Sequence, residues 1–168
     1  PLTGLSNRRQ FFSDLSEQIA IAKRDSAEIV LMLVDIDNLA AINERYDYEL
    51  GDEAILTLSR LLSRFASADY RVGRIGGEEC AIVMSGSPKE RALVMGQRIR
   101  RTFAAIVFDA ETSPKHFSVC LGLATFDGET EDLNVDMFVH RVDTALYMAK
   151  QRGRGRQMAY WDLEPSSI

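Results

Sequence analysis

The chain has 168 residues, 46% of them hydrophobic, which is enough for one hydrophobic core and too little for two. A formal net charge of -5 excludes a general electrostatic attraction to nucleic acid or to an anionic membrane surface, so any phosphate group must be bound by local residues. No segment is as long as a transmembrane span and no signal peptide opens the chain, so we expect a cytoplasmic protein without direct membrane insertion.

The first predicted elements are an amphipathic helix and a buried strand. Apolar residues recur every three or four positions from Phe11 to Ala22, which predicts a helix after Asn7. The continuous apolar run 29–34 is typical of a central strand that is buried on both faces. This strand ends abruptly at Asp35-Ile36-Asp37.

A short helix, a loop and a second long helix are predicted next. Residues 38–41 favour a helical turn, and the polar run 43–51 is interpreted as a loop. Apolar residues from Ile55 to Phe65 then indicate a helix that begins near Asp52.

A β-hairpin follows. Two runs with strand character, 70–75 and 80–84, are joined through Gly76-Gly77-Glu78-Glu79, so this turn lies at the hairpin tip.

The rest of the chain predicts two helices and two strands. A helix begins near Pro88 and continues towards Ile106, and a strand covers 117–124. A last helix covers 136–151, and 158–161 is expected to form a closing edge strand, before a frayed tail at 164–167. Cys80 and Cys120 are expected to be buried, reduced thiols rather than a disulfide.

Strands that alternate with helices, plus one internal hairpin, predict an α/β (α+β) sandwich with a central mixed β-sheet of about five strands flanked by helices. A doubly wound nucleotide-binding fold would need a Gly-rich turn after its first strand, and carboxylates stand there instead. We assign residues 1–160 to one domain and 161–168 to a C-terminal tail.

Two acidic clusters stand at predicted element ends, where loops place functional groups: Asp35 with Asp37, and Glu78 with Glu79. Their oxygens suit Mg²⁺ or Mn²⁺, which one or two carboxylates usually hold together with water and substrate phosphates. Each cluster alone is better explained by helix capping or by an ordinary hairpin turn than by a metal site. The two together favour a metal site on a nucleoside triphosphate, because capping one turn does not require a second acidic tip.

Glycines and basic residues extend this candidate site. Gly76 and Gly77 lack side chains, so a bulky ligand can approach the hairpin backbone closely. Lys150 and Arg154 are four residues apart near the end of the last helix and form a candidate phosphate clamp. The alternative is a basic last turn that the helix dipole favours.

Taken together, these residues resemble the GGDEF domain, the catalytic module of diguanylate cyclases, which condense two GTP into cyclic di-GMP with release of pyrophosphate. The resemblance covers nearly the whole chain and implies a fold like that of nucleotide cyclases and polymerase palms. Several separated motifs in the right order make it specific. The motifs are Leu2-Thr3-Gly4-Leu5-Ser6-Asn7-Arg8-Arg9, Asp35-Ile36-Asp37, Asn43, Gly51-Asp52, Arg74-Ile75-Gly76-Gly77-Glu78-Glu79 and Asp143-Thr144-Ala145-Leu146-Tyr147-Met148-Ala149-Lys150.

The resemblance implies a role for each candidate residue. The metal ligands would be the carboxylates of Asp35 and Glu78 and the backbone carbonyl of Ile36. Glu78, with Glu79 beside it in the catalytic turn, would help to deprotonate the 3′-hydroxyl. The substrate-binding residues would be Asn43 and Asp52 for guanine, Lys150 and Arg154 for the triphosphate, and Gly76 and Gly77 in the turn.

The resemblance also implies partners. Each active site of the family holds one GTP, so two domains must face each other as a homodimer for catalysis. The chain begins at Pro1 rather than Met, and we therefore expect that an N-terminal sensory or regulatory domain precedes it in a longer protein.

Three residues depart from the family pattern. Cys80 replaces the usual Phe after the acidic pair, which is expected to change packing beneath the turn more than metal binding. Ala40 stands where the family often has Lys, so one cation near the phosphates is missing, and Tyr48 stands where His is common.

The family's product-inhibition motif, Arg-x-x-Asp shortly before the hairpin turn, is also missing. Its register holds Ser67 and Tyr70, and a slip of one residue gives Ala66 and Asp69, still without the arginine. We therefore expect no feedback binding of cyclic di-GMP by that route.

Two functions remain as hypotheses. The first is an active diguanylate cyclase, since the metal, turn and guanine positions are retained. The second is a catalytically weakened GTP-binding regulatory domain, which Ala40 and Cys80 motivate. A purely structural interaction domain would leave the polar residues unexplained.

Overall fold

Five α-helices and five β-strands form the part of the chain that the computed structural model describes, which is residues 5–86, 89–109 and 112–163. The helices are α1 (Arg8–Asp25), α2 (Leu39–Arg45), α3 (Tyr48–Ser63), α4 (Lys89–Ala105) and α5 (Val135–Gln151). The strands are β1 (Glu28–Ile36), β2 (Tyr70–Arg74), β3 (Glu79–Ser85), β4 (Val119–Asp127) and β5 (Gln157–Ala159). A short 3₁₀ helix covers Tyr160–Asp162.

The five strands form one mixed sheet, as predicted, and their order in it is β2-β3-β1-β4-β5. β1 lies at the centre and pairs antiparallel with both β3 and β4, while β5 pairs parallel with β4. β1 is buried from Ile29 to Ile36, because the pleat sends successive side chains into the cores on opposite faces. The prediction of a central strand buried on both faces is confirmed.

Helices cover both faces of this sheet. On one face, Phe11 of α1 and Val142 of α5 pack with Leu31 of β1 in one core cluster. On the other face, α2, α3 and α4 supply residues such as Leu58 and Ile99 to a second cluster. The two clusters together bury the apolar stripes that the sequence predicted for the long helices.

The loop predicted over 43–51 is wrong. α2 continues to Arg45 and α3 begins at Tyr48, so only two residues connect them. Asp47 caps α3, because its side chain accepts a hydrogen bond from the Leu50 amide at 2.8 Å. The polarity of this segment comes from the exposed faces of two helices, on which Glu44 and Glu49 lie.

The remaining predicted elements are present with small shifts at their ends. The hairpin of β2 and β3 is confirmed. The strand predicted over 117–124 is β4, which runs two or three residues later, and the segment predicted as an edge strand over 158–161 is β5 followed by the 3₁₀ helix. Pro88 and the tail 164–167 lie outside the described residues. Across the residues described, no helix is both long and apolar enough to cross a bilayer.

Candidate active site at the hairpin turn

A cleft of about 450 Å³ opens where β1 ends beside the hairpin turn. It brings together most of the predicted site, because β1 and β3 are neighbours whose register places Asp35 opposite Glu79. α2 closes another side of the cleft. The lining residues are Asp35, Leu39, Asn43, Ile55, Arg74, Gly76, Gly77, Glu78 and Glu79.

Arg74 holds the two-glycine turn in shape. Its Nε donates to the carbonyl of Gly76 at 3.2 Å, and its Nη2 donates to the carbonyl of Gly77 at 2.7 Å. Across the base of the turn, the Ile75 amide donates to the Glu79 carbonyl at 2.9 Å. The sequence motif contains Arg74 without predicting this role; the signal for it is a basic residue two positions before a glycine pair.

Asp35 is buried and only partly neutralised. Its side chain pairs through Oδ2 with Lys150 Nζ, whereas Oδ1 is buried without a hydrogen-bond partner among the described residues. Burial raises the pKa of Asp35, and the contact with Lys150 opposes that shift. Burial alone would lower the pKa of Lys150, but the hydrogen bond to Asp35 raises it above its usual value. The free oxygen leaves Asp35 able to accept a cation.

The turn carboxylates share this negative environment. Burial, followed by the charge of Asp35, raises the pKa of Glu78. Burial, followed by the charges of Asp143 and Asp35, raises the pKa of Glu79 to about 7. Neighbouring carboxylates repel one another when they are ionised. A cation that binds between them lowers this repulsion and favours the ionised forms.

This donor set fits Mg²⁺ or Mn²⁺. Asp35 and Glu78 offer hard oxygen ligands, and Asp35 Oδ1 has no other use for its lone pairs. Within residues 5–86, 89–109 and 112–163, no group of three His, Cys, Asp or Glu side chains is placed to hold an ion. Magnesium usually takes one or two carboxylates and completes its shell with water and phosphate, so the set is sufficient for an ion that arrives with a nucleotide.

Asp37 is separated from this cleft. It is 5% exposed, and its Oδ2 accepts hydrogen bonds from Ser118 Oγ at 2.6 Å and from the Gly155 amide at 2.7 Å. It therefore ties the end of β1 to the start of β4 and to the loop after α5, and it is not among the cleft residues. The two residues of the predicted acidic pair thus have different positions: Asp35 lines the cleft, whereas Asp37 holds neighbouring segments together through hydrogen bonds.

Asn43 lies against α3 at Gly51. A Cβ on Gly51 would be 1.8 Å from Asn43 Oδ1, so only glycine leaves room for the amide group. Asn43 Oδ1 is buried and has no hydrogen-bond partner among the described residues. Asp52 follows Gly51 on α3 and is exposed, and it does not line the cleft.

Neither residue of the predicted phosphate clamp lines the cleft, and one of the two contacts a residue that does. Lys150 reaches Asp35 from the end of α5. Arg154 is exposed in the loop after α5, yet its charge acts on Asp35: burial raises the pKa of that carboxyl, and Arg154 adds to the opposition that Lys150 gives to this rise. Ile36 is the last residue of β1 and is buried beside Asp35.

The departures from the family pattern lie around the site rather than in it. Ala40 is exposed on α2, and Tyr48 is 75% exposed at the start of α3. Cys80 is buried beneath the turn, and burial raises its pKa to about 11 while a hydrogen bond with Ser59 opposes the shift. Both cysteines are buried and free, as predicted.

A family model described as diguanylate cyclase, GGDEF domain, matches residues 1–156. The chain is 34% identical over 159 residues to a diguanylate cyclase of Vibrio cholerae, which covers 95% of this chain and 48% of that protein. It is 35% identical over 162 residues to diguanylate cyclase DgcM of Escherichia coli, which covers 94% of this chain and 37% of that protein. The chain thus spans about half, or less, of the length of these relatives.

Solved structures have the same fold. The active GGEEF domain of a diguanylate cyclase from Vibrio cholerae superposes with a TM-score of 0.84 at 32% identity, covering 93% of this chain and 97% of that chain. The GGDEF domain of DgcB from Caulobacter crescentus, solved in complex with c-di-GMP, gives a TM-score of 0.89 at 26% identity. That comparison covers 95% of this chain and 91% of that chain.

Proposed function

The chain belongs to the GGDEF domain family of diguanylate cyclases, and from this premise we propose that it condenses two GTP into cyclic di-GMP with release of pyrophosphate. The observation that carries the proposal is the buried Asp35, which keeps one oxygen without a partner at the cleft that Glu78 and Glu79 also line. A polar atom left unpaired in a buried position is costly unless a ligand uses it.

The carboxylates of the cleft have two roles in the proposed reaction: they bind the metal and they take up a proton. Asp35 and Glu78, with the backbone carbonyl of Ile36, would hold Mg²⁺ or Mn²⁺ on the triphosphate. The metal, when bound, supplies positive charge that stabilises the displacement at the α-phosphorus. Glu78, with Glu79 beside it, draws the proton from the attacking 3′-hydroxyl; carboxyl groups with raised pKa values suit that task near neutral pH.

The substrate is bound by groups at three sides of the cleft. Asn43, with Asp52, would hydrogen-bond the edge of guanine, and this distinguishes guanine from adenine. Lys150 and Arg154 would bind the triphosphate from the α5 side. Gly76 and Gly77 allow the nucleotide to approach the backbone of the turn. Apart from chain neighbours, Glu79 is the only described residue with a heavy atom within 4 Å of a Cβ placed on either glycine.

Product formation requires two copies. Each cleft holds one GTP, so two domains would face each other in a homodimer while the two phosphodiester bonds form. Because the chain spans about half of its relatives or less, we further propose that a sensory or regulatory domain on the N-terminal side controls this pairing.

The second candidate function is GTP binding without turnover. It is favoured by the exposed Ala40 where a lysine would supply charge, and by Lys150, which is already paired with Asp35. Loss of one charge-assisted phosphate contact costs on the order of 1.5 to 3 kcal/mol, or roughly ten- to a hundredfold in affinity.

One experiment separates the two functions. The protein is fused to a coiled-coil dimer so that the clefts can meet, then incubated with GTP and Mg²⁺, and cyclic di-GMP is quantified by chromatography. We expect product from the wild type, none from Glu78→Gln, and normal turnover from the matched control Glu53→Gln, which lies exposed on α3.

The outcomes that contradict the proposal are distinct. GTP binding without product in the dimerised wild type supports the regulatory function. Neither binding nor product contradicts both functions. If Glu78→Gln still forms product, the side chain of Glu78 in the turn is not required for the reaction.

A further inference from the structure

The loop over residues 152–156, which follows α5 and carries Arg154, has an unusual backbone. Three successive residues have positive φ: Gly153 at 120°, Arg154 at 60° and Gly155 at 58°. A residue with a Cβ, such as Arg154, is strained in this conformation. Contacts elsewhere must therefore hold the loop in place.

The peptide groups of Gly155 are held on two sides. Its amide donates to Asp37 Oδ2 at 2.7 Å, which ties the loop to the end of β1. Its carbonyl accepts a hydrogen bond from Arg100 Nη1 at 3.1 Å, which ties the loop to α4. Gly155 follows Arg154 directly, so these two bonds fix the backbone from which the Arg154 side chain projects.

Residues of α4 contact both this loop and Gln157, which directly follows it. Arg100 Nε also points at Gln157 Oε1 at 3.4 Å, and Gln157 Nε2 donates to the Leu93 carbonyl at 3.1 Å. A Cβ on Gly96 would come within 2.6 Å of Gln157 Oε1, so the glycine permits the close contact between α4 and the segment that follows the loop. Arg100 thus belongs to a continuous network that ends at Gly155.

We propose that Arg100 is a positioning residue for triphosphate binding: through the Gly155 carbonyl it holds the loop so that Arg154 faces the phosphates. The inference rests on the proposed function, because it assumes that Arg154 contacts the triphosphate. Arg100 itself does not line the cleft, and it acts on the substrate only through the loop. Lys150 lies on α5 and does not depend on this contact.

The test compares two ligands that differ only in the phosphates. Removal of Arg100 should weaken GTP binding in the presence of Mg²⁺ by about three- to tenfold, because Arg154 is no longer held in place. Guanosine has no phosphate, so its affinity should not change. A purely structural role of Arg100 would weaken both ligands alike or lower only the melting temperature.

The variants are Arg100→Met and the conservative Arg100→Lys, which keeps a donor and should retain part of the GTP affinity. The control is Arg101→Met, which removes an exposed arginine from the same helix. In an Arg154→Ala background, Arg100→Met should have no further effect on GTP affinity, since the residue it positions is already gone.

The inference and the proposed function fail in different ways. If the wild type binds neither GTP nor guanosine, the proposed function fails. If the wild type binds GTP, the inference is overturned by equal losses for GTP and guanosine, by no loss for GTP, or by additive losses in the double variant. If Arg100→Met does not fold by circular dichroism, Arg100→Lys is judged by the same ratio of affinities.

Discussion

Gly51 determines where the side-chain amide of Asn43 lies, the group that we propose binds guanine. Asn43 occupies the space that a side chain at position 51 would fill, with its Oδ1 only 1.8 Å from where a Cβ would stand. The glycine occurs inside α3, where it costs about 1 kcal/mol relative to alanine. Gly51 therefore lowers the stability of α3 and at the same time leaves room for Asn43 beside the cleft.

Gly51→Ala should reduce GTP affinity by roughly tenfold and lower the preference for GTP over ATP, because the displaced amide loses its hydrogen bonds to guanine. Alanine is the better helix former, so a loss of binding cannot come from a weaker helix. Titration calorimetry with GTP and ATP measures both effects. Glu53→Ala, exposed on the same helix, is the control; an unchanged ratio of GTP to ATP affinity would show that Asn43 does not read the base.

For single residues, the sequence predicts those that lie in short motifs better than hydrogen bonds between residues far apart in the chain. Asp35 and Glu78 were found because short motifs carry them, and the structure brings both to the cleft. The bond of Asp37 to Gly155 joins residues 118 positions apart, and that of Arg100 to Gly155 joins residues 55 apart. No local pattern in the sequence indicates such pairs, so they became visible only with the fold.

Among the elements, α5 packs with its backbone directly against Gly122 of β4. A Cβ there would lie 2.5 Å from the backbone nitrogen of Leu146 and 2.6 Å from the carbonyl oxygen of Val142. Both are helix backbone atoms, so relief requires a shift of the whole helix rather than a rotation of one side chain. Because α5 carries Lys150, its distance from the sheet also sets the position of that cation.

Gly122→Ala should destabilise the protein by about 1 to 3 kcal/mol, as expected when a packed contact is overfilled. For a chain of this size the melting temperature should fall by roughly 2 to 12 °C, measured by calorimetry or circular dichroism. Gly77→Ala is the matched control for stability, since a Cβ on Gly77 meets no heavy atom within 4 Å among the described residues outside its chain neighbours. Equal melting temperatures for the two variants would contradict this account of α5 packing.

The elements with strong apolar periodicity were predictable, and the one wrong prediction has a physical cause. α1, α3 and α5 bury apolar stripes, and β1 buries a continuous apolar run. α2 has only seven residues, and Leu39 and Ile42 are its buried positions, so its period was too short to detect. The capping side chain of Asp47 was the signal in the sequence that separated α2 from α3.

For the whole molecule, the proposed function raises the question of whether cyclic di-GMP, the expected product, inhibits its own synthesis. Ser67 stands in the turn between α3 and β2, where its Oγ accepts hydrogen bonds from the amides of Asp69 and Tyr70 at 3.2 Å each. The Ser67 amide donates to the Tyr70 carbonyl at 2.9 Å. The turn is closed by its own backbone, and it offers no arginine at the position where the family motif has one.

Cyclic di-GMP should therefore leave the initial rate of pyrophosphate release by the dimerised protein unchanged. The combined substitution Ser67→Arg with Tyr70→Asp restores the motif and should make the rate fall as product is added. Saturable binding of cyclic di-GMP that Asp69→Ala abolishes would contradict the expectation.

The central position of β1 also has a consequence for synthesis of the chain. Ile36 of β1 pairs with Val119 of β4, about 80 residues later in the sequence. At a translation rate of about 5 to 20 residues per second, roughly 4 to 16 s pass before that partner leaves the ribosome. During this interval the most apolar strand has an unpaired edge, which is a template for pairing with other chains. The yield of soluble protein should therefore depend on how well nascent chains are kept apart.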